Sequence, residues 1–137
     1  MRVVIMGCGR VGAGLAQRLS NEGHEVTILD TNSFAFQRLL PQFSGRRLVG
    51  SGTDDRVLID AGIEKADCFI ALASGDNRNI LASEKAKEVY GVRNVVTRVR
   101  DPLRAELFER LGLKTFSPTS FGIDLAHTAL FEAAGGQ

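Results

Sequence analysis

The chain has 137 residues, 44% of them hydrophobic and 24% charged, and its formal net charge is +1. This size suits one globular domain that buries a core without disulfides, and the near-neutral charge argues against a broad surface for nucleic acid or anionic membranes. The longest apolar stretch, residues 68–73, is too short to span a bilayer. The first strand opens the chain, so we expect no signal peptide. The two cysteines lack metal-ligand spacing, so we expect reduced thiols and a cytoplasmic protein.

A glycine-rich loop follows the first apolar run. Residues 1–6 have the pattern of a buried strand, and residues 7–12 read G-x-G-x-x-G before apolar residues at helical spacing. In such a loop the first glycine allows a sharp turn, the second lets a phosphate approach the backbone, and the third lets the helix pack on the strand. N–H groups at the helix N-terminus favour an anion. We therefore predict that the nucleotide-binding loop consists of Gly7, Cys8, Gly9, Arg10, Val11 and Gly12.

Strand and helix patterns alternate along the rest of the chain. We predict further strands at residues 25–30, 47–50, 67–73, 94–99 and 113–116. We predict further helices at residues 33–43, 55–60, 76–90, 102–111 and 118–134. Five strand–helix units with short connections indicate an α/β fold. The expected architecture is a Rossmann-like, doubly wound, mostly parallel six-stranded sheet of order 3-2-1-4-5-6 with a C-terminal crossover helix, and one domain spans residues 1–137.

In this topology a ligand lies at the carboxyl ends of the strands, where the strand order reverses. Asp30 ends strand 2 at the offset of an acid that binds an adenosine ribose, although a turn or cap aspartate is the alternative. A carboxylate there disfavours the 2′-phosphate of NADP. Thr53 and Asp54 follow strand 3, near the expected adenine. For them, capping of the following helix is at least as well supported as ligand contact.

Three further residues are predicted to face the same crevice. Ala73 and Ser74 end strand 4 opposite the glycine loop, where small side chains leave room for a ligand. Arg98 lies near the end of an apolar strand, and its alternative role is a salt bridge within the fold. Arg10 places a cation at a helix N-terminus, which opposes the helix dipole and so favours a phosphate partner.

The crevice offers little for catalysis. We find no Ser–His–Asp set, no lysine–tyrosine pair and no metal-ligand cluster, and His24 and His127 are expected to lie elsewhere. We therefore predict a non-enzymatic nucleotide-binding domain without a metal. The alternative is the cofactor domain of an NAD-dependent oxidoreductase. A redox-sensing nucleic-acid regulator is a third hypothesis, and it lacks a basic recognition helix.

The sequence resembles the RCK (KTN, or TrkA-N) domains of bacterial Trk/Ktr-type potassium-uptake regulatory subunits over essentially its whole length. The matching segments are residues 2–12, 28–30, 52–54, 66–92 and 98–102. The resemblance assigns the glycine loop and Arg10 to phosphates and Asp30 to ribose, and it places Ala73, Ser74 and Arg98 in the same pocket. Gly75 departs from the family, which often has an acidic residue there. Family members also commonly continue into a C-terminal ligand-sensing domain.

The resemblance also implies a function. Such domains bind NAD(H) or ATP/ADP, assemble into cytoplasmic homodimers or rings, and gate potassium transport through a membrane channel or transporter subunit. The expected location is therefore the inner face of the cell membrane, reached through that partner and without insertion of this chain. We expect no nucleic acid partner.

The last helix and tail, residues 118–137, carry a broad apolar surface that includes Phe121, Leu125 and Phe131. Part of this surface is expected to pack on the sheet of its own chain. A helix this apolar at a chain end also suits contact with a second copy, which we predict largely from the family resemblance.

Overall fold

The computed structural model describes residues 1–135, so Gly136 and Gln137 of the predicted segment 118–137 lie outside the described residues. It confirms the predicted α/β fold: all strand pairs are parallel and the order is β3-β2-β1-β4-β5-β6. The strands are β1 (Arg2–Met6), β2 (Glu25–Asp30), β3 (Arg46–Val49), β4 (Cys68–Ala71), β5 (Asn94–Arg98) and β6 (Thr115–Phe116). The α-helices are α1 (Arg10–Asn21), α2 (Asp55–Asp60), α3 (Asp76–Glu84), α4 (Pro102–Arg110) and α5 (Pro118–Ala133).

The central strand β1 is buried on both faces of the sheet, and successive side chains enter two separate hydrophobic clusters. Val4 packs with Leu29 and Phe69 on one face, whereas Ile5 packs with Ile28 on the other. Helices cover both faces of a parallel sheet, which is why this strand reads as a continuous apolar run. Each fully buried side chain of this size stabilises the fold by about 1.5–3 kcal/mol.

Two predicted helices differ from the structure. The helix predicted over residues 33–43 is only a short 3₁₀ helix, Ser33–Arg38, because the chain turns to extended backbone at Leu39, ahead of Pro41. The helix predicted over residues 76–90 is α-helical only to Glu84 and continues as a π-helical turn, Lys85–Val89. The remaining predicted helices agree within about one residue, and β4 and β6 are each shorter than predicted.

The expectation that part of α5 packs on the sheet of its own chain is wrong. None of its residues is buried, and its large apolar side chains are 47–67% exposed. These side chains are Phe121, Ile123, Leu125, Leu130 and Phe131. Among the helices of residues 1–135, none combines the length and the apolarity needed to cross a bilayer.

A polar cluster holds the loop that follows β3. The Lys85 ammonium donates to the carbonyl oxygen of Thr53 at 2.8 Å and lies 3.2 Å from an oxygen of Asp55. The Tyr90 hydroxyl donates to the other oxygen of Asp55 at 2.7 Å. This bond is the main reason that the pKa of Asp55 falls below its ordinary value, and the Lys85 ammonium lowers it further. Lys85 in the π-helical turn and Tyr90 at its end therefore hold the β3–α2 connection in place.

Gly12→Ala tests the close packing of α1 on β1. A Cβ at Gly12 would collide with the backbone carbonyl of Gly7, whereas one at Gly14 meets no atom within 4 Å. We expect Gly12→Ala to lower the free energy of unfolding by about 3 kcal/mol or more, because backbone cannot move aside easily. Gly14→Ala on the same helix should raise it by about 0.5–1 kcal/mol. Urea denaturation measures both, and equal midpoints for the two variants would contradict the packing described.

Tyr90 is the only tyrosine, so its ultraviolet absorbance reports the titration of one group. The hydrogen bond to Asp55 is the largest cause that raises its pKa to about 12, followed by burial. Because the folded pKa is raised, the contribution to stability is present below pH 10 or so and is lost as pH rises towards about 12. Asp55→Asn should move the midpoint towards about 10. A wild-type midpoint near 10, with native circular dichroism retained, would contradict this hydrogen bond.

Candidate nucleotide-binding site

The carboxyl ends of the central strands surround a crevice of about 470 Å³, which is within the range of about 300–1,000 Å³ typical of ligand sites. The glycine loop, the ends of β2 and β4, and the segments after β3 and β5 line it. A larger depression of about 770 Å³ lies along the outer side of α1. The crevice is the candidate site because it lies where the strand order reverses between β1 and β4.

The glycine loop has the backbone geometry that a phosphate requires. Gly7 has φ of +103°, and a Cβ there would lie 2.7 Å from the backbone nitrogen of Ala73. Nothing lies within 4 Å of the Cβ position of Gly9, so the backbone is open at this point. Gly9 is also the N-cap of α1 and supplies no side-chain cap, which leaves first-turn N–H groups available to an anion.

Asp30 joins β2 to the glycine loop. One carboxylate oxygen accepts from the backbone N–H of Cys8 at 2.8 Å, and the other accepts from the N–H of Asn32 at 2.8 Å. A carboxylate has about four acceptor positions, so two N–H groups leave capacity for ribose hydroxyls. The residue predicted to hold ribose therefore also orients the loop predicted to hold phosphate. Together with the open backbone at Gly9, this arrangement suits a ligand that carries both ribose and phosphate, as a nucleotide does.

The side chain of Cys8 is fully buried beside this carboxylate. Burial raises the pKa of the Cys8 thiol, the Asp30 carboxylate raises it further, and Arg38 and Arg47 oppose the shift. The thiol therefore stays protonated near neutral pH and packs as a small apolar group. Its backbone carbonyl accepts a long hydrogen bond of 3.4 Å from the Arg38 guanidinium.

Asn79 holds the ends of β4 and β5 together on the far side of the crevice. Its fully buried amide accepts from the Ala73 N–H at 2.9 Å and donates to the carbonyl oxygens of Ala73 and Arg98 at 2.8 and 3.1 Å. These hydrogen bonds stabilise the turn after β4. Ala73 and Ser74 both line the crevice, as predicted.

The Arg98 side chain extends into the crevice and donates to the carbonyl oxygen of Ala73 at 2.8 Å. Its Nε atom is buried without a hydrogen-bond partner. Burial is the main cause that lowers the pKa of Arg98, Arg100 adds to it, and Asp76 opposes it. Within residues 1–135 no carboxylate lies within 4 Å of this guanidinium, so the salt bridge considered as its alternative role is not seen.

Most of the predicted site residues meet at the crevice, but Gly12, Thr53 and Asp54 do not line it. Gly12 lies beneath the loop as a packing residue. Asp54 caps α2 by accepting from the N–H of Arg56, the alternative left open by the sequence. Ser51 and Gly52, in the same connection, line the crevice instead.

Sequence reasoning missed three arginines that line the crevice, Arg38, Arg78 and Arg100. Arg100 lies two residues after Arg98, and in extended chain this spacing places both side chains on one face, so a signal was present. Arg78 lies in the first turn of α3, but only the fold shows that this turn borders the crevice. No local pattern marks Arg38, which ends the short 3₁₀ helix and reaches the crevice only through the packing of that helix beside the glycine loop.

The TrkA-N domain family model matches residues 3–118. The chain is 48% identical over 124 residues to the Trk system potassium uptake protein TrkA of Streptomyces coelicolor, covering 90% of this chain and 56% of that protein. It therefore spans little more than half the length of this relative.

Solved structures share the fold. The AMP-bound Kef CTD of Shewanella denitrificans superposes with a TM-score of 0.78 at 23% identity, covering 97% of this chain and 82% of the other. The GsuK channel bound to NAD gives 0.69 at 22% identity, covering 85% and 21%. The family match spans both halves of the sheet and every segment that lines the crevice, so the chain belongs to the TrkA-N domain family.

Proposed function

We propose that this chain is the nucleotide-sensing part of a regulatory subunit for potassium uptake. The observation that carries the proposal is the crevice itself, in which an uncapped helix N-terminus at the glycine loop faces the Asp30 carboxylate. The 48% identity to a Trk system potassium uptake protein supports the transport role. The fold shared with AMP-bound and NAD-bound proteins supports an adenine nucleotide as ligand, either NAD(H) or ATP/ADP.

In this proposal the N–H groups at the start of α1 bind phosphate, and Asp30 accepts from ribose hydroxyls. Arg10 supplies a cation at the same place, and Ala73 and Ser74 border the opposite side. The role is regulatory rather than enzymatic, as the named relative's part in potassium uptake supports. The domain acts in the cytoplasm, at the inner face of the membrane, through a membrane-embedded transport subunit.

Regulation requires that a nucleotide bind two arrangements of the subunit with different affinities, because a ligand that binds both equally shifts nothing. Asp30 offers a route for such a difference. It contacts the glycine loop through Cys8 and the connection after β2 through Asn32, so ribose bound there biases both segments.

Asp30→Ala tests the site directly. We expect it to weaken NAD and ADP binding by at least about tenfold, because it removes the ribose acceptor and the tie to Cys8. Isothermal titration calorimetry on the wild type and the variant measures the change. Unchanged affinity for both nucleotides would show that the site is assigned wrongly.

Asp54→Ala is the matched control, an identical substitution at an aspartate outside the crevice. It removes the side-chain cap of α2, so we expect about 1 kcal/mol less stability and nucleotide affinity within about twofold of wild type. A loss of affinity equal to that of Asp30→Ala would show that Asp54 belongs to the binding site.

The segment 118–137 is proposed as a contact between copies of the chain, in a homodimer or a larger ring. The support is α5, which has no buried residue and exposes five large apolar side chains. Apolar surface of this extent is costly to leave in water and marks interaction sites. An apolar helix face that meets the same face of a second copy would form a symmetric contact.

Leu125→Asp combined with Leu130→Asp should shift the protein towards monomer, because two charges would be buried in an apolar contact. Light scattering during size-exclusion chromatography measures the mass. Ile59→Asp combined with Leu103→Asp is the control, since it introduces the same two charges at 48% and 77% exposed positions on α2 and α4 and should leave the mass unchanged. A wild-type monomer at all concentrations would contradict the proposed contact.

A further inference from the structure

Positive charge is concentrated in the crevice of a protein that is almost neutral overall. Five arginines line the crevice, and Asp30 is the only carboxylate among its lining residues. The arginines are Arg10, Arg38, Arg78, Arg98 and Arg100. None of them lies within 4 Å of a carboxylate in residues 1–135, although six other basic residues form ion pairs there.

The five arginines fall into two groups. Arg10 and Arg38 flank the glycine loop, where they accompany the phosphate site already described. Arg78, Arg98 and Arg100 come from α3, the end of β5 and the segment after it, on the opposite side of the crevice. We name these three residues the distal arginine cluster. A nucleotide held by the glycine loop would have the cluster facing the end of its phosphate chain.

Asp76, whose charge acts on Arg98, forms no ion pair with the cluster. Asp76 accepts from the backbone N–H of Arg100 at 3.0 Å through one oxygen. Its other oxygen faces Arg104, 3.9 Å away on α4. The guanidinium of Arg98 uses one nitrogen on Ala73 and leaves its buried Nε without a partner. The cluster therefore retains donor capacity and charge for an outside anion.

Unpaired guanidinium groups that share a crevice repel one another and bind phosphate strongly when it is supplied. Arginine offers five donors in a planar fork, and charge-assisted hydrogen bonds to phosphate are about twice as strong as neutral ones. NAD⁺ would instead bring a positively charged nicotinamide ring to the far side of the crevice, where three cations oppose it. ATP would bring terminal phosphate groups there.

We propose that the distal arginine cluster binds the terminal phosphates of a nucleoside di- or triphosphate, and that it makes this site prefer ATP and ADP to NAD⁺ and AMP. This preference rests on the proposed nucleotide-binding function and assigns its ligand class. The site then distinguishes nucleotides by the number of phosphate groups in their chain. Arg10 and the glycine loop hold the phosphates nearer the ribose, which all four ligands possess.

The test is calorimetry with ATP, ADP, AMP and NAD⁺ in buffer without divalent cations, on wild type and on the double variant Arg78→Gln, Arg100→Gln. Both side chains belong to exposed residues, so the fold should persist, and thermal denaturation checks that it does. We expect wild type to bind ATP at least about tenfold more tightly than AMP or NAD⁺. The variant should lose at least about tenfold for ATP and less than about twofold for AMP.

The matched control is Arg18→Gln, Arg93→Gln, which removes the same charge at two exposed positions outside the crevice. A loss of ATP affinity as large in this control would assign the effect to overall charge and overturn the proposal. Equal wild-type affinity for the four ligands would also overturn it while leaving nucleotide binding intact. If wild type binds none of the four, the proposed function itself fails and the preference fails with it.

Discussion

The candidate site depends on how closely α1 approaches β1. Gly12 lies against the carbonyl of Gly7 with no room for a side chain. This contact allows α1 to pack close to the end of β1. Gly7 can then turn the chain only with a positive φ, close to the backbone of Leu72 and Ala73 at the end of β4. The N-terminus of α1 is aimed into the crevice because Gly7 adopts a positive φ that other residues resist, and because Gly12 has no side chain to hold the helix away from the strand.

Side-chain hydrogen bonds also connect the strand ends that surround the crevice. Asp30 links β2 to the loop through Cys8, and Asn79 links β4 to β5 through Ala73 and Arg98. The strands that these residues connect lie on opposite sides of β1 in the sheet order, β2 on one side and β4 with β5 on the other, so hydrogen bonds stabilise both sides of the crevice. A ligand that contacts both sides would therefore meet segments that hydrogen bonds already hold in place. Less of its binding free energy is then spent on ordering loose chain.

Charge then distinguishes the two sides of the crevice. The glycine loop offers backbone dipoles and Asp30, whereas the opposite side offers guanidinium groups with no ion-pair partner among the described residues. A dehydrogenase needs a residue there that can exchange a proton near the nicotinamide. Arginine stays protonated across the working pH range, and the three arginines of the far side are suited to binding anions rather than to acid–base work.

Patterns in the sequence predicted the topology of the sheet and the glycine-loop side of the site. The alternation of apolar strands with helices predicted a doubly wound sheet, for which we expected the order 3-2-1-4-5-6, and the glycine spacing with Asp30 located the loop, because both signals are local in sequence. The tertiary structure decided the rest. Arg38 and Arg78 line the crevice only when separate elements pack together, and the predicted helix at residues 33–43 gives way to extended backbone at Leu39. These outcomes depend on contacts distant in sequence, which local patterns do not encode. The glycine loop and Arg98 could therefore be predicted from the sequence, whereas only the fold shows that Arg78 joins Arg98 and Arg100 at the crevice.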